Sequence, residues 1–221
     1  MQDFTPTDKN RVRRMPTRGA YDTATIYPIV DAALLCHVGM IYEGEPIVIP
    51  TLHARRDDEI LLHGATTSRL LQYAMAGHPL CVTVTLVDGL VLARSVFNHS
   101  VNYRSAVLFG RARLVPDEEK MEYLTYFTEK LIPGRWDDVR PPTPAEFKAT
   151  AIVAMTIESA SAKIRTGPPK DDAEDYALPV WAGVLPIQQH FGALQADPKL
   201  TEGIPVPSYL QAYIASGSAG E

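Results

Sequence analysis

Thr66, Thr67, Ser68 and Arg69, which follow His63, Gly64 and Ala65, are the side chains of this sequence best typed for holding an anion. A helix beginning there would aim its unpaired first-turn N–H groups at the same spot as the hydroxyls and the Arg69 guanidinium. The same residues also read as an ordinary Ser/Thr N-cap followed by a solvated Arg. Gly64 lets backbone approach a ligand closely, and His63 stands beside it at a strand end. A half-buried strand-end histidine fits that position equally well. The second cluster is the polar run from Asn98 to Ser105, NHSVNYRS, wedged between two apolar strands. Buried polar groups without partners cost about 1 kcal/mol or more each, so this run is either exposed or holds something polar.

Other chemistries find little support. The six histidines, His37, His53, His63, His78, His99 and His190, show no metal-ligand spacing, so no metal is expected. No nucleophile elbow, Walker loop or dinucleotide fingerprint is present, and covalent catalysis loses its footing with them.

The elements that must position these residues follow from hydrophobic period and turn signals. Asp22 caps a helix of about ten residues, despite Pro28. Leu34 to Tyr42, Glu45 to His53 and Glu59 to Gly64 read as three consecutive strands in a meander, with a hairpin through Arg-Arg-Asp-Asp. Ser68 to Ala76 is a helix stopped by Gly77 and Pro79. Cys81 to Val87 and Leu90 to Phe97 read as strands joined by a two-residue turn at Asp88-Gly89. Arg104 to Val115 is a strand with Gly110 as a bulge or bend, and Asp117 to Leu131 is an amphipathic helix behind Pro116. Thr143 and Glu146 form a capping box for another helix, after which Ala151 to Ile157 is a strand. Residues 167–177 form an acidic, Pro-rich loop before a last strand near Val180 to Ile187, and the tail after Gln195 drapes over the surface. Seven or eight short strands with inserted helices and no βαβ alternation predict an α+β protein built on an antiparallel β-barrel.

A chain of 221 residues that is 46% hydrophobic and 21% charged has the composition of one soluble globular domain. The longest apolar candidate, Pro79 to Ala93, is interrupted at Asp88 and Gly89, so no membrane span is expected. A net charge of −5 argues against a nucleic-acid partner. Lys9, Arg11, Arg13, Arg14 and Arg18 concentrate in the first twenty residues, which read as a solvated arm or one lying across a neighbour. Cys36 and Cys81 form no disulfide framework, and a reduced, cytoplasmic protein is the simplest inference.

The order of four segments resembles the pyridoxamine 5'-phosphate oxidase-like FMN-binding proteins, particularly the flavin-nucleotide-binding and nitroimidazole-resistance subgroup. They are PIVIPT at Pro46 to Thr51, LLHGATTSR at Leu61 to Arg69, LVLARSVFNHSVNYRSAVLFGRA at Leu90 to Ala112, and RTGPPKDD from Arg165. The resemblance implies a Greek-key-like split β-barrel with peripheral helices over residues 21–190, flanked by an arm (1–20) and an extension (191–221). It further implies a homodimer with FMN at the subunit interface and a small-molecule substrate, with NADH or NADPH as a donor. The backbone at Ile49, Pro50 and Thr51 would lie on the flavin ring. His63, Gly64, Thr67, Ser68 and Arg69 would surround its phosphate. Asn102, Tyr103, Arg104 and Ser105 would reach the flavin of the other subunit, and Trp181 would neighbour the ring. No Arg-x-His pair is present, so oxidation of vitamin B6 is not expected. A flavin-dependent oxidoreductase is the leading expectation; a flavin-binding or sensing protein without turnover, and a barrel holding haem or a deazaflavin, stand beside it.

Overall fold

Asp22 starts the first helix as its spacing predicts: its carboxylate accepts from the Thr25 N–H at 2.8 Å, and α1 runs Thr23–Ala32 with Pro28 inside it. The computed structural model describes residues 3–215; Met1 and Gln2 of the arm and the last six residues of the tail lie outside the described residues. Four further helices follow, α2 (Arg69–Met75), α3 (Asp117–Leu131), α4 (Pro144–Ala149) and α5 (Ser208–Ala215). Thr143 and Glu146 close both halves of the capping box on α4.

Nine antiparallel strands form one sheet: β1 (Gly19–Ala20), β2 (Leu35–Tyr42), β3 (Glu45–Leu52), β4 (Ala54–Arg56), β5 (Glu59–Ala65), β6 (Pro79–Leu92), β7 (Ser100–Leu114), β8 (Thr150–Arg165) and β9 (Gly183–Pro186). The path across it is β3-β2-β6-β7-β8-β5-β4, with β1 added to β8 and β9 added to β6. The sheet curls until β3 and β5 approach each other without pairing, which leaves an open seam along one side of the barrel.

Two apolar clusters hold this shape. The larger fills the inside of the curl under α1 and α2, with Ile26, Leu62, Leu71, Val82, Leu108 and Met155 fully or almost fully buried. The smaller packs Tyr123 and Phe127 of α3 against Leu61, Ile152 and Ala154 on the outside of β5 and β8. Each such side chain stabilises the fold by about 1.5–3 kcal/mol relative to exposure. Gly110 marks the tightest point of the wall, where β7 slips register against β8. A Cβ on it would lie 1.9 Å from the Thr156 carbonyl oxygen, so only glycine fits and the expected bend is real.

Several sequence expectations are corrected. The three-strand meander is absent: β2 and β3 form a hairpin, but β5 pairs with β4 and with β8, some ninety residues downstream. Arg55 and Arg56 belong to β4, and the turn into β5 is Asp57-Asp58 alone. Asp88-Gly89 makes no hairpin; β6 continues through it with a register shift, because β9 pairs from Gly89 to Leu92 and keeps the chain extended. The N-terminal arm is exposed along most of its length, as expected, but it is anchored on the barrel. Asn10 is only 3% exposed and its amide donates to the Ala160 carbonyl, and Gly19 and Ala20 pair with Lys163 and Ala162. The 167–177 loop is pinned at Asp171, whose carboxylate accepts from the Arg94 backbone and guanidinium at 2.9 and 3.0 Å. The tail carries the unexpected α5, and Tyr209 ties it to Arg135 and Asp138.

Candidate functional site at the open seam

Glu43 and Gly44, both at positive φ (53° and 84°), make the two-residue turn that joins β2 to β3. Tyr42 and Glu45 are then the closing hydrogen-bonded pair, and bonded and open positions alternate along the hairpin from there. The main chain of Ile47, Ile49 and Thr51 is spent on β2, while that of Pro46, Val48, Pro50 and Leu52 faces the seam. Proline at 46 and 50 removes two of the four donors. The seam therefore presents the N–H groups of Val48 and Leu52 beside a row of carbonyls. Of the three flavin-ring positions expected from the sequence, Pro50 alone turns its main chain outward; Ile49 packs its side chain on the core.

The other wall of the seam is the end of β5 and the start of α2. Ser68 is the N-cap, but its hydroxyl makes no capping bond, so the hydroxyl and the first-turn N–H groups of α2 have no side-chain partner there. Arg69 lies over the Tyr42 ring with its guanidinium carbon 5.2 Å from the centroid, and among the described residues it has no ion pair. Thr67 is exposed next to them. A Cβ on Gly64 would meet only Leu71 Cδ1, at an ordinary 3.5 Å, so nothing within the chain demands glycine there.

His63 is at the same strand end, with its ring turned edge-on to Phe127 at 4.4 Å between centroids. Burial lowers its pKa, which keeps the imidazole neutral. Its Nδ1 is buried without a hydrogen-bond partner. His53 is buried and donates from Nε2 to the Val30 carbonyl at 3.0 Å, while its Nδ1, like that of His63, has no hydrogen-bond partner.

The polar run on β7 is largely occupied within the chain. Arg104 grips the carboxylate of Asp88 at the β6 bulge through three contacts of 2.8–3.3 Å. Ser105 donates to the Lys163 carbonyl, and Asn102 accepts from Arg165 and donates to the Gly167 carbonyl. Tyr103 pairs across to Val87 and Arg165. Among the described residues, no hydrogen bond or ion pair joins this run to the seam. Trp181 is also elsewhere, 70% exposed with its ring against Gly183. Sequence reading missed a cationic cluster formed by Arg14, Arg18, Arg165 and Lys170, because its members come from the two ends of the fold and share no local motif.

A barrel with an open seam, edge amides on one wall and an uncapped helix start on the other is a split β-barrel. The chain belongs to the pyridoxamine 5'-phosphate oxidase family, whose profile matches residues 22–164. Among solved structures it is similar to the flavocytochrome Anf3 from Azotobacter vinelandii, with 41% identity over 95% of this chain and 98% of that one, at a TM-score of 0.89. It is likewise similar to the FAD and heme binding protein from Mycobacterium smegmatis, with 34% identity over 92% and 100% of the two chains and a TM-score of 0.88. A candidate 5-nitroimidazole antibiotic resistance protein from Bacteroides thetaiotaomicron shares the fold, at 20% identity over 65% and 84% and a TM-score of 0.55. The curated proteins contain no match.

Proposed function

We propose that this protein is a redox carrier or oxidoreductase that holds FAD and a haem, with FAD in place of the FMN expected from the sequence. The observation that carries the reading is the near end-to-end likeness to two proteins described as a flavocytochrome and as an FAD and heme binding protein. The seam supplies donors that suit a flavin: Val48 and Leu52 amides for the polar edge of the ring, and Ser68, the first-turn amides and Arg69 for a phosphate. His63 would be a ligand for a haem iron, since burial favours its neutral imidazole and its buried Nδ1 has no hydrogen-bond partner within the chain. When bound, the flavin supplies hydride and electron transfer and the haem supplies single-electron transfer.

The residues of the chain position these groups rather than react. Arg69 orients a phosphate, Phe127 fixes the plane of His63, and the β3 edge sets the hydrogen bonding of the ring. A homodimer belongs to the same reading. Leu35, Ile41, Val48 and Leu52 stand 39–62% exposed on the outer face of β2 and β3, more apolar surface than a lone sheet face usually leaves in water. Denaturing the purified protein and identifying what it releases tests the proposal. FAD with haem supports it; FMN alone reduces it to a single-flavin protein, and failure to take up either group on reconstitution overturns it.

A further inference from the structure

A strongly cationic concavity lies away from the seam residues. Arg14 and Arg18 from the arm, Arg165 from the end of β8 and Lys170 from the following loop line a pocket of about 530 Å³, with Phe97 and Asn98 of the β6–β7 turn at its rim. No carboxylate lines it, although the chain as a whole carries a net charge of −5. Arg165 is 7% exposed and gives its guanidinium N–H groups to Asn102 and to the carbonyls of Gly167 and Pro168, all neutral acceptors. Buried cations are normally balanced by an acid. Here none does so: among the described residues Arg14, Arg18, Arg165 and Lys170 form no ion pair. Burial and the neighbouring Arg18 charge push the pKa of Arg165 down, the signature of positive charges held together without a counterion. The Asn98 side-chain amide nitrogen is buried with no acceptor, a further donor without a partner.

These features describe an anion with more than one negative charge. Phe97 adds a ring, 93% exposed, and Val96 beside it is equally exposed; the turn thus offers a flat apolar platform next to the charges. The volume is that of a small-molecule site. We propose that this pocket binds the diphosphate and base of a nucleoside diphosphate, with Arg14, Arg18 and Lys170 on the phosphates, Asn98 donating to them, and Phe97 stacking on the base. Arg165 acts as a positioning residue that holds the 167–170 loop in place. The proposal does not depend on the flavin reading. The nucleotide is separate from a flavin in the seam, whose diphosphate Ser68 and Arg69 would hold.

The test is calorimetric titration of ADP, and in parallel inorganic pyrophosphate, into protein stripped of cofactor and into protein loaded with FAD. Arg18→Ala combined with Lys170→Ala should weaken both ligands by about 10- to 100-fold, since two charge-assisted contacts are lost. Phe97→Ala should weaken ADP and leave pyrophosphate unchanged. Lys148→Ala combined with Lys199→Ala removes the same charge from exposed sites elsewhere and should change nothing. Binding of ADP alongside FAD supports a separate nucleotide site; competition between FAD and ADP would overturn it and place the FAD diphosphate in this pocket instead of at Ser68 and Arg69. Absence of ADP binding in stripped protein that remains folded, or binding unaffected by the Arg18/Lys170 variant, would overturn it. Equal effects of Phe97→Ala on both ligands would overturn the base assignment.

Discussion

Replacing Arg69 and Ser68 together by alanine separates binding from folding at the seam. In the folded chain Ser68 makes no capping bond and Arg69 makes no ion pair among the described residues, so the protein itself loses little. The one contact at stake is the placement of Arg69 over Tyr42, worth about 0.5–1 kcal/mol at an exposed site. For a chain of this size that corresponds to a fall in Tm of about 1–4 °C. A flavin phosphate would lose a charge-assisted contact worth about 1.5–3 kcal/mol, one to two decades in affinity. The assay is quenching of flavin fluorescence on titrating stripped protein, with a thermal melt on the same sample. FAD affinity should fall about 10- to 100-fold while Tm barely moves. Affinity within threefold of the parent would refute the phosphate assignment, and a collapse in Tm would show that the two side chains are structural after all.

Gly110→Ala should destabilise by about 3 kcal/mol or more, because the obstruction is the Thr156 main chain and cannot turn aside; a urea midpoint equal to the parent's would contradict the register of β7 on β8. His63→Gln keeps the bulk against Phe127 but removes the imidazole, and should abolish the Soret band while flavin is retained, read from the visible spectrum of the purified variant. His53 and His63 both have pKa values lowered by burial. The unfolded chain therefore binds more protons than the folded one just below the ordinary histidine value, and stability should fall as pH drops from about 7.5 to 5.5. Above about pH 7.5 these two groups contribute little slope. Urea melts across that window check the sign, and His53→Gln should flatten the slope.

What the sequence made legible was what neighbouring residues decide. Asp22, the Thr143–Glu146 box and Pro116 ahead of three acids each fix a helix start within a turn, and α1, α3 and α4 stand where those signals put them. Strand order is decided by partners far along the chain, and there the sequence misled. Nothing local distinguishes β5 joining β3 from β5 joining β8. Asp88-Gly89 has the composition of a tight turn, yet the pairing of β9 and the grip of Arg104 on Asp88 make it a bulge in a continuous strand. The seam was readable because Ser68, Arg69, His63 and Gly64 are adjacent in sequence. The polar run on β7 announced itself as polar, but that its partners would be Asp88, Lys163 and the 165–167 turn is a tertiary fact. The cationic pocket was invisible for the same reason, since more than 140 residues separate Arg18 from Arg165.

A flavin and a haem held by one chain, as proposed, would exchange electrons. The visible spectrum of the freshly purified protein under argon, before and after NADH or NADPH, tests this. Flavin and Soret bands are expected at the outset, followed by bleaching of the flavin band by the donor and reduction of the haem. A protein that is colourless as purified and takes up neither FAD nor haemin would contradict it.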